Sequence, residues 1–95
     1  IMYAFHETPK LGRAKILTEA RRLLRPEGTL AIVDITACYK PSKSMLEGEP
    51  YVLEYQRNIH TQLADCMGFA SSKYKTVVPG QVGMWLLKRA PEAAR

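Results

Sequence analysis

The stretch ARRLLRPEGTLAIVDI, residues 20–35, decides the fold. It reads as the end of an amphipathic helix, a short break and a buried strand. Arg25-Pro26-Glu27-Gly28 is the break. Pro26 cannot continue a helix, and it pushes Arg25 out of the helical region. Gly28 is expected to take a positive φ where the chain reverses. Residues 29–35 are rich in β-branched and aliphatic side chains, with Asp34 the sole charge. That composition fits a strand covered on both faces. A helix feeding such a strand implies an α/β sheet. Sheets of this kind place ligands beyond the carboxyl ends of their strands, and Asp34 stands near that end.

Working outward, residues 1–5 are short and apolar, as the tail of a strand would be. Thr8-Pro9 opens a helix, with Thr8 as cap and Pro9 in the first turn. Ile16, Leu17, Ala20, Leu23 and Leu24 then form its apolar stripe. After the central strand, residues 39–49 read as a loop or broken helical turn. Pro50 opens a second helix, in which Val52, Tyr55, Ile59 and Leu63 recur every three or four residues. Gly68 stops that helix, and Phe69 folds back on its last turn. Residues 73–78 and 82–88 read as strands joined at Pro79-Gly80 and therefore antiparallel. Trp85 is assigned to the sheet core. Residues 1–90 form one domain and 91–95 a disordered tail. No internal repeat or low-complexity tract interrupts this order.

The helix-to-strand block resembles one in the S-adenosylmethionine-dependent methyltransferases of the Rossmann-like class. In that family a helix ends in Arg-x-Leu-(Lys/Arg)-Pro-x-Gly before the fifth strand; here the matching residues are Arg22, Leu24, Arg25, Pro26 and Gly28. Met2-Tyr3-Ala4-Phe5-His6-Glu7 is similar to the end of the family's fourth strand and the loop after it. The resemblance covers nearly the whole chain, but only the second half of the family's domain. It implies a three-layer α/β/α half-domain of β-α-β-α-β-β order. The last strand would insert antiparallel, giving the strand order 1-2-4-3 with residues 1–5 as strand 1. It also implies an edge there that pairs with a missing N-terminal half or with a second copy. The chain opens on Ile1 inside a strand, which reads as a fragment.

S-adenosylmethionine is the cofactor that the resemblance implies, and a small molecule is the methyl acceptor. The family's acidic residue followed by Gly-x-Gly is absent, since Gly12, Gly28, Gly48, Gly68, Gly80 and Gly83 form no such loop. The expectation is therefore a portion of a methyltransferase that supplies the acceptor side and part of the cofactor pocket, and is inactive alone. The rival expectation is a non-catalytic module for dimerisation or partner binding.

By motif position, Met2, Tyr3, Phe5 and His6 fall where the family lines its cofactor pocket. His6 either orients the acceptor or acts on it as a base, or else it hydrogen-bonds the following loop. Asp34 either faces the acceptor or caps a loop and pairs with a nearby Arg. The second, structural role is preferred. Met45, Tyr51 and Tyr55 supply a surface suited to a flat or greasy acceptor, or else pack at helical spacing. No set of His, Cys, Asp and Glu has metal-ligand spacing, so no metal is expected.

Composition adds bounds. The chain has 95 residues and a net charge of +5. Arg13, Lys15, Arg21, Arg22 and Arg25 lie in or beside one helix, and they read as a solvated face rather than a nucleic-acid patch. No zinc finger or RNA-binding aromatic motif supports the second reading, so an RNA-associated enzyme is the weaker option. No apolar run approaches the roughly 20 residues that span a bilayer. Cys38 and Cys66 have no redox spacing. A reduced, cytoplasmic chain is the simplest reading, with a disulfide between them left open.

Overall fold

A computed structural model describes residues 1–91; the tail assignment, residues 91–95, falls almost wholly outside them. The elements in order are α1 (Lys10–Leu23), β1 (Thr29–Ile35), α2 (Lys43–Gly48), α3 (Val52–Ala64), β2 (Phe69–Val78) and β3 (Val82–Arg89). The fold is a small α/β arrangement. Its sheet has the order β1-β3-β2, with β3 antiparallel to both neighbours. Residues 1–5 are not a strand. Met2 makes one parallel bridge to Val33, and Phe5 already begins a 3-10 turn, Phe5–Glu7.

Strand periodicity separates two faces. Ile32 pairs with Trp85 and Leu30 with Leu87, and this face meets the helices. Leu17 of α1 and Val52, Tyr55, Ile59 and Leu63 of α3 complete the core there, with Phe5 wholly buried among them. On the other face Ala31, Val33, Met84 and Leu86 are half-buried, and Lys73, Lys75 and Lys88 are exposed around them.

The helix ends where Pro26 requires. Leu24 is already extended at φ −74°, ψ 145°. The positive φ, however, belongs to Glu27 at 65° and not to Gly28. Gly28 is needed for a close approach instead, because a Cβ there would stand 2.9 Å from the Arg25 carbonyl oxygen. Gly68 does take a positive φ, 88°, but it does not stop α3, which ends at Ala64; it turns the chain into β2. Thr8 does not cap α1. Its hydroxyl donates back to the Ala4 carbonyl at 2.7 Å, and Pro9 holds the cap position. β2 begins at Phe69, earlier than expected.

The apolar stripe of α1 also shifts. Leu23 is exposed, because at about 100° per residue it lies roughly 120° around the helix from Leu17. Arg13 lies one turn before Leu17 on the core face and is fully buried, not solvated. Four hydrogen bonds hold its guanidinium. Nε donates to Gln62 Oε1 at 2.7 Å, and Nη1 to the Thr8 carbonyl at 2.7 Å and to Glu54 Oε1 at 2.9 Å. Nη2 donates to Glu54 Oε2. The cation also sits 5.8 Å from the centre of the Tyr55 ring. This paired guanidinium ties α1 to α3.

Arg13 holds the Glu54 carboxyl below its ordinary value, chiefly through the hydrogen bond. A carboxyl with a depressed folded-state pKa stabilises the fold above its unfolded pKa, and that share is lost as pH falls through the folded value. Arg13→Met is expected to lower stability at neutral pH by about 2–4 kcal/mol, since it removes the charge partner of Glu54 and leaves Gln62 Oε1 and the Thr8 carbonyl without this donor. Urea denaturation should also show a smaller loss for the variant than for the wild type between about pH 5 and pH 3.

Candidate functional site

The carboxyl end of β1 is the most polar part of the interior. Asp34 is fully buried there. Its Oδ1 accepts from His6 Nδ1 at 2.7 Å and from the Ile35 amide at 2.8 Å. Its Oδ2 accepts from the His6 amide at 3.1 Å. One carboxylate thus holds both the backbone and the ring of His6. An ionised carboxylate only accepts, so Nδ1 carries the proton. Nε2 is left pointing to the other side of the ring.

Local structure delivers His6 to this place. Ile1 and Tyr3 pair with Val33 through two backbone bonds of 2.8 Å, which lays the chain beside β1. Tyr3 then turns at φ 55° and Phe5 enters the core. The Thr8 amide closes the 3-10 turn on the Phe5 carbonyl at 3.1 Å. His6 is therefore only 8% exposed, although it lies on a short connection.

Beyond Nε2 stands Glu49, whose Oε1 is 3.3 Å away. Glu49 ends α2, the short helix that Ser42 caps through the Met45 amide at 3.1 Å. The donor atoms of His6, Glu7 and Glu49 all lie within 4.8 Å of one another. Sequence spacing shows no such set, because Glu49 is 43 positions from His6 and meets it only in the fold.

The other candidate residues separate. Tyr55 is fully buried, and its hydroxyl donates to the Ile35 carbonyl at 2.6 Å. Its ring meets that of His6 edge-on, with centroids 6.4 Å apart. Burial, and then the Asp34 charge, push its phenol far above the ordinary value, so it serves as a neutral donor. Phe5 is core. Met45 is half-buried against the core, whereas Met2, Tyr3 and Tyr51 are exposed. The structure brings together His6, Asp34 and Tyr55 and adds Glu49 and Glu7.

A cavity of about 460 Å³ lies elsewhere, between α1 and the chain that leaves α3. Leu17, Thr18, Arg21, Cys66 and Met67 line it. Burial pushes the Cys66 thiol up, which makes it less reactive. Among the described residues no helix is long and apolar enough to cross a membrane. Comparison with protein-family models, with curated proteins and with solved structures finds no match.

Asp34→Asn removes the anion but keeps the shape. The Nδ1-protonated form of the neutral His6 ring should dominate in the wild type by heteronuclear NMR of the imidazole nitrogens, and the variant should lose that preference. A wild-type ring protonated at Nε2 alone would contradict the geometry.

Proposed function

We propose that this chain is the acceptor-side portion of a cytoplasmic S-adenosylmethionine-dependent small-molecule methyltransferase, in which His6 takes the proton of the methyl acceptor. The observation that carries the reading is the buried His6–Asp34 pair at the carboxyl end of β1. That is where ligands sit in α/β sheets. Asp34 fixes the tautomer and leaves Nε2 as the atom that can accept a proton, as a general base requires. Glu49, Tyr51 and Met45 stand in the segment that would roof the acceptor.

The finer architecture belongs to the same proposal. Further chain beside the Met2–Val33 bridge would extend it into a strand, giving the order 1-2-4-3. The half-buried face around Val33 and Met84 would then take a third layer. Met2 and Tyr3, exposed along the β1 edge, suit a cofactor wall that Phe5 supports from the core. The cofactor would bring an electrophilic methyl group, but this chain alone does not fit it. The chain carries no Gly-rich loop, and Asp34, at the end of β1, is turned inward to His6. What the chain's own residues supply is proton handling and positioning.

A second reading, a non-catalytic module that dimerises or binds a partner, is favoured by the same half-buried face and by the short pairing at the β1 edge. Calorimetry separates the two. S-adenosylhomocysteine is expected not to bind the isolated chain, and to bind once the coding sequence upstream of Ile1 is included. In that longer protein His6→Gln should slow methyl transfer by about 100-fold or more with cofactor binding retained. Stoichiometric binding to the isolated chain would sink the half-domain reading, and an unimpaired His6→Gln variant would sink the base. A stable dimer that binds no cofactor in either form would favour the second reading.

A further inference from the structure

We propose that His6, Glu7 and Glu49 form a binding site for a divalent cation of the zinc class. The proposal stands on the geometry of these residues and does not depend on methyl transfer. Among the described residues no other group of three His, Cys, Asp or Glu donors comes so close together.

The contact between His6 and Glu49 is the starting point. Nδ1 gives its proton to Asp34, so on a neutral ring Nε2 presents a lone pair. Glu49 Oε1 faces that lone pair at 3.3 Å. Two acceptors at that distance repel unless something positive lies between or beside them. Either a proton shared between them or a cation meets this need. The separation suits a cation: two ligands about 2.0–2.1 Å from a tetrahedral zinc stand about 3.3–3.4 Å apart. Glu7 is exposed, and its carboxylate already lies within 4.8 Å of both other ligand atoms.

The outer shell supplies an independent observation. Metal-binding histidines usually donate their other ring N–H to a carboxylate, which fixes the tautomer and raises ligand basicity. Asp34 does this at 2.7 Å from a fully buried position. The ring is held by the Asp34 contact to its own amide as well, so Nε2 is aimed rather than merely available. One imidazole and two carboxylates suit zinc better than calcium or magnesium, which prefer oxygen alone. Three protein ligands leave a coordination position open for water or for an oxygen of a bound small molecule. An ion on Nε2 takes the lone pair that proton transfer needs, so the loaded and the free site would do different chemistry.

The test uses the purified, metal-stripped chain with zinc, and then with cobalt as a spectroscopic probe, with neither cofactor nor acceptor present. One equivalent of zinc is expected by calorimetry. Cobalt should give visible bands of a site with nitrogen and oxygen ligands and no thiolate charge-transfer band. Glu49→Gln, Glu7→Gln and His6→Gln should each weaken binding by about tenfold or more, and Asp34→Asn by about tenfold. Glu7 is exposed, so Glu7→Gln keeps the fold even if a buried variant does not. Replacing Cys38 and Cys66 by Ser should change nothing. Absence of zinc binding would overturn the proposal. Binding that survives Glu7→Gln and Glu49→Gln, or that shows thiolate bands, would overturn it too.

Discussion

The Asp34 carboxylate is the constraint on which the site depends. A buried anion is costly unless donors surround it, and here three donors do: the His6 amide, the His6 ring and the Ile35 amide. Without Asp34 the first residues would have no polar reason to end their turn against β1. With it, Phe5 enters the core, and His6 is held with one ring nitrogen inward and the other facing Glu49. The turn and the orientation of His6 both depend on one charged side chain at a strand end. Tyr55 closes the arrangement by satisfying the Ile35 carbonyl from the helix side.

Arg13 plays a complementary part a short distance away. It is the buried cation of the helix layer, and its partners lie on α3, at Glu54 and Gln62, and at the start of α1, at Thr8. Both buried charges grip the segment around residues 4–8 or its continuation. The apolar side chains Val52, Ile59 and Leu63 seat α3 on the sheet, and Arg13 sets α1 beside it. Glu49 reaches His6 because Pro50 and the start of α3 follow it directly. The approach of Glu49 to the site thus follows from where α3 packs.

Much of this order is legible in the residues. The Pro26 break, the α3 periodicity and the Pro79-Gly80 turn each have a local cause, and each appears where that cause acts; Gly68 instead turns the chain into β2, four residues after α3 has ended at Ala64. Misreadings arise where long-range contacts decide. Arg13 is a basic residue in a basic helix, yet it lies one turn from Leu17 on the core face; that phase was the available signal. Leu23 fits the stripe by residue type, but its angle turns it to solvent. Gly28 carries the tight approach and Glu27 the positive φ, a division that composition alone does not show. His6 and Asp34 were each singled out, but their pairing spans 28 positions and no spacing rule contains it. The same holds for Glu49. Residues 1–5 look like a strand by composition, but a strand needs a neighbour to pair with, and among the described residues the segment bonds only to Ala31 and Val33 of β1.

The central claim is that Asp34 and His6 hold each other. A double-mutant cycle with Asp34→Asn and His6→Gln, read by urea denaturation, tests it most directly. The account expects a coupling energy of about 1–3 kcal/mol, with the double variant little less stable than the worse single one. Additive effects, with coupling near zero, would mean that the two side chains lie close without depending on each other, and that the site is held by something else.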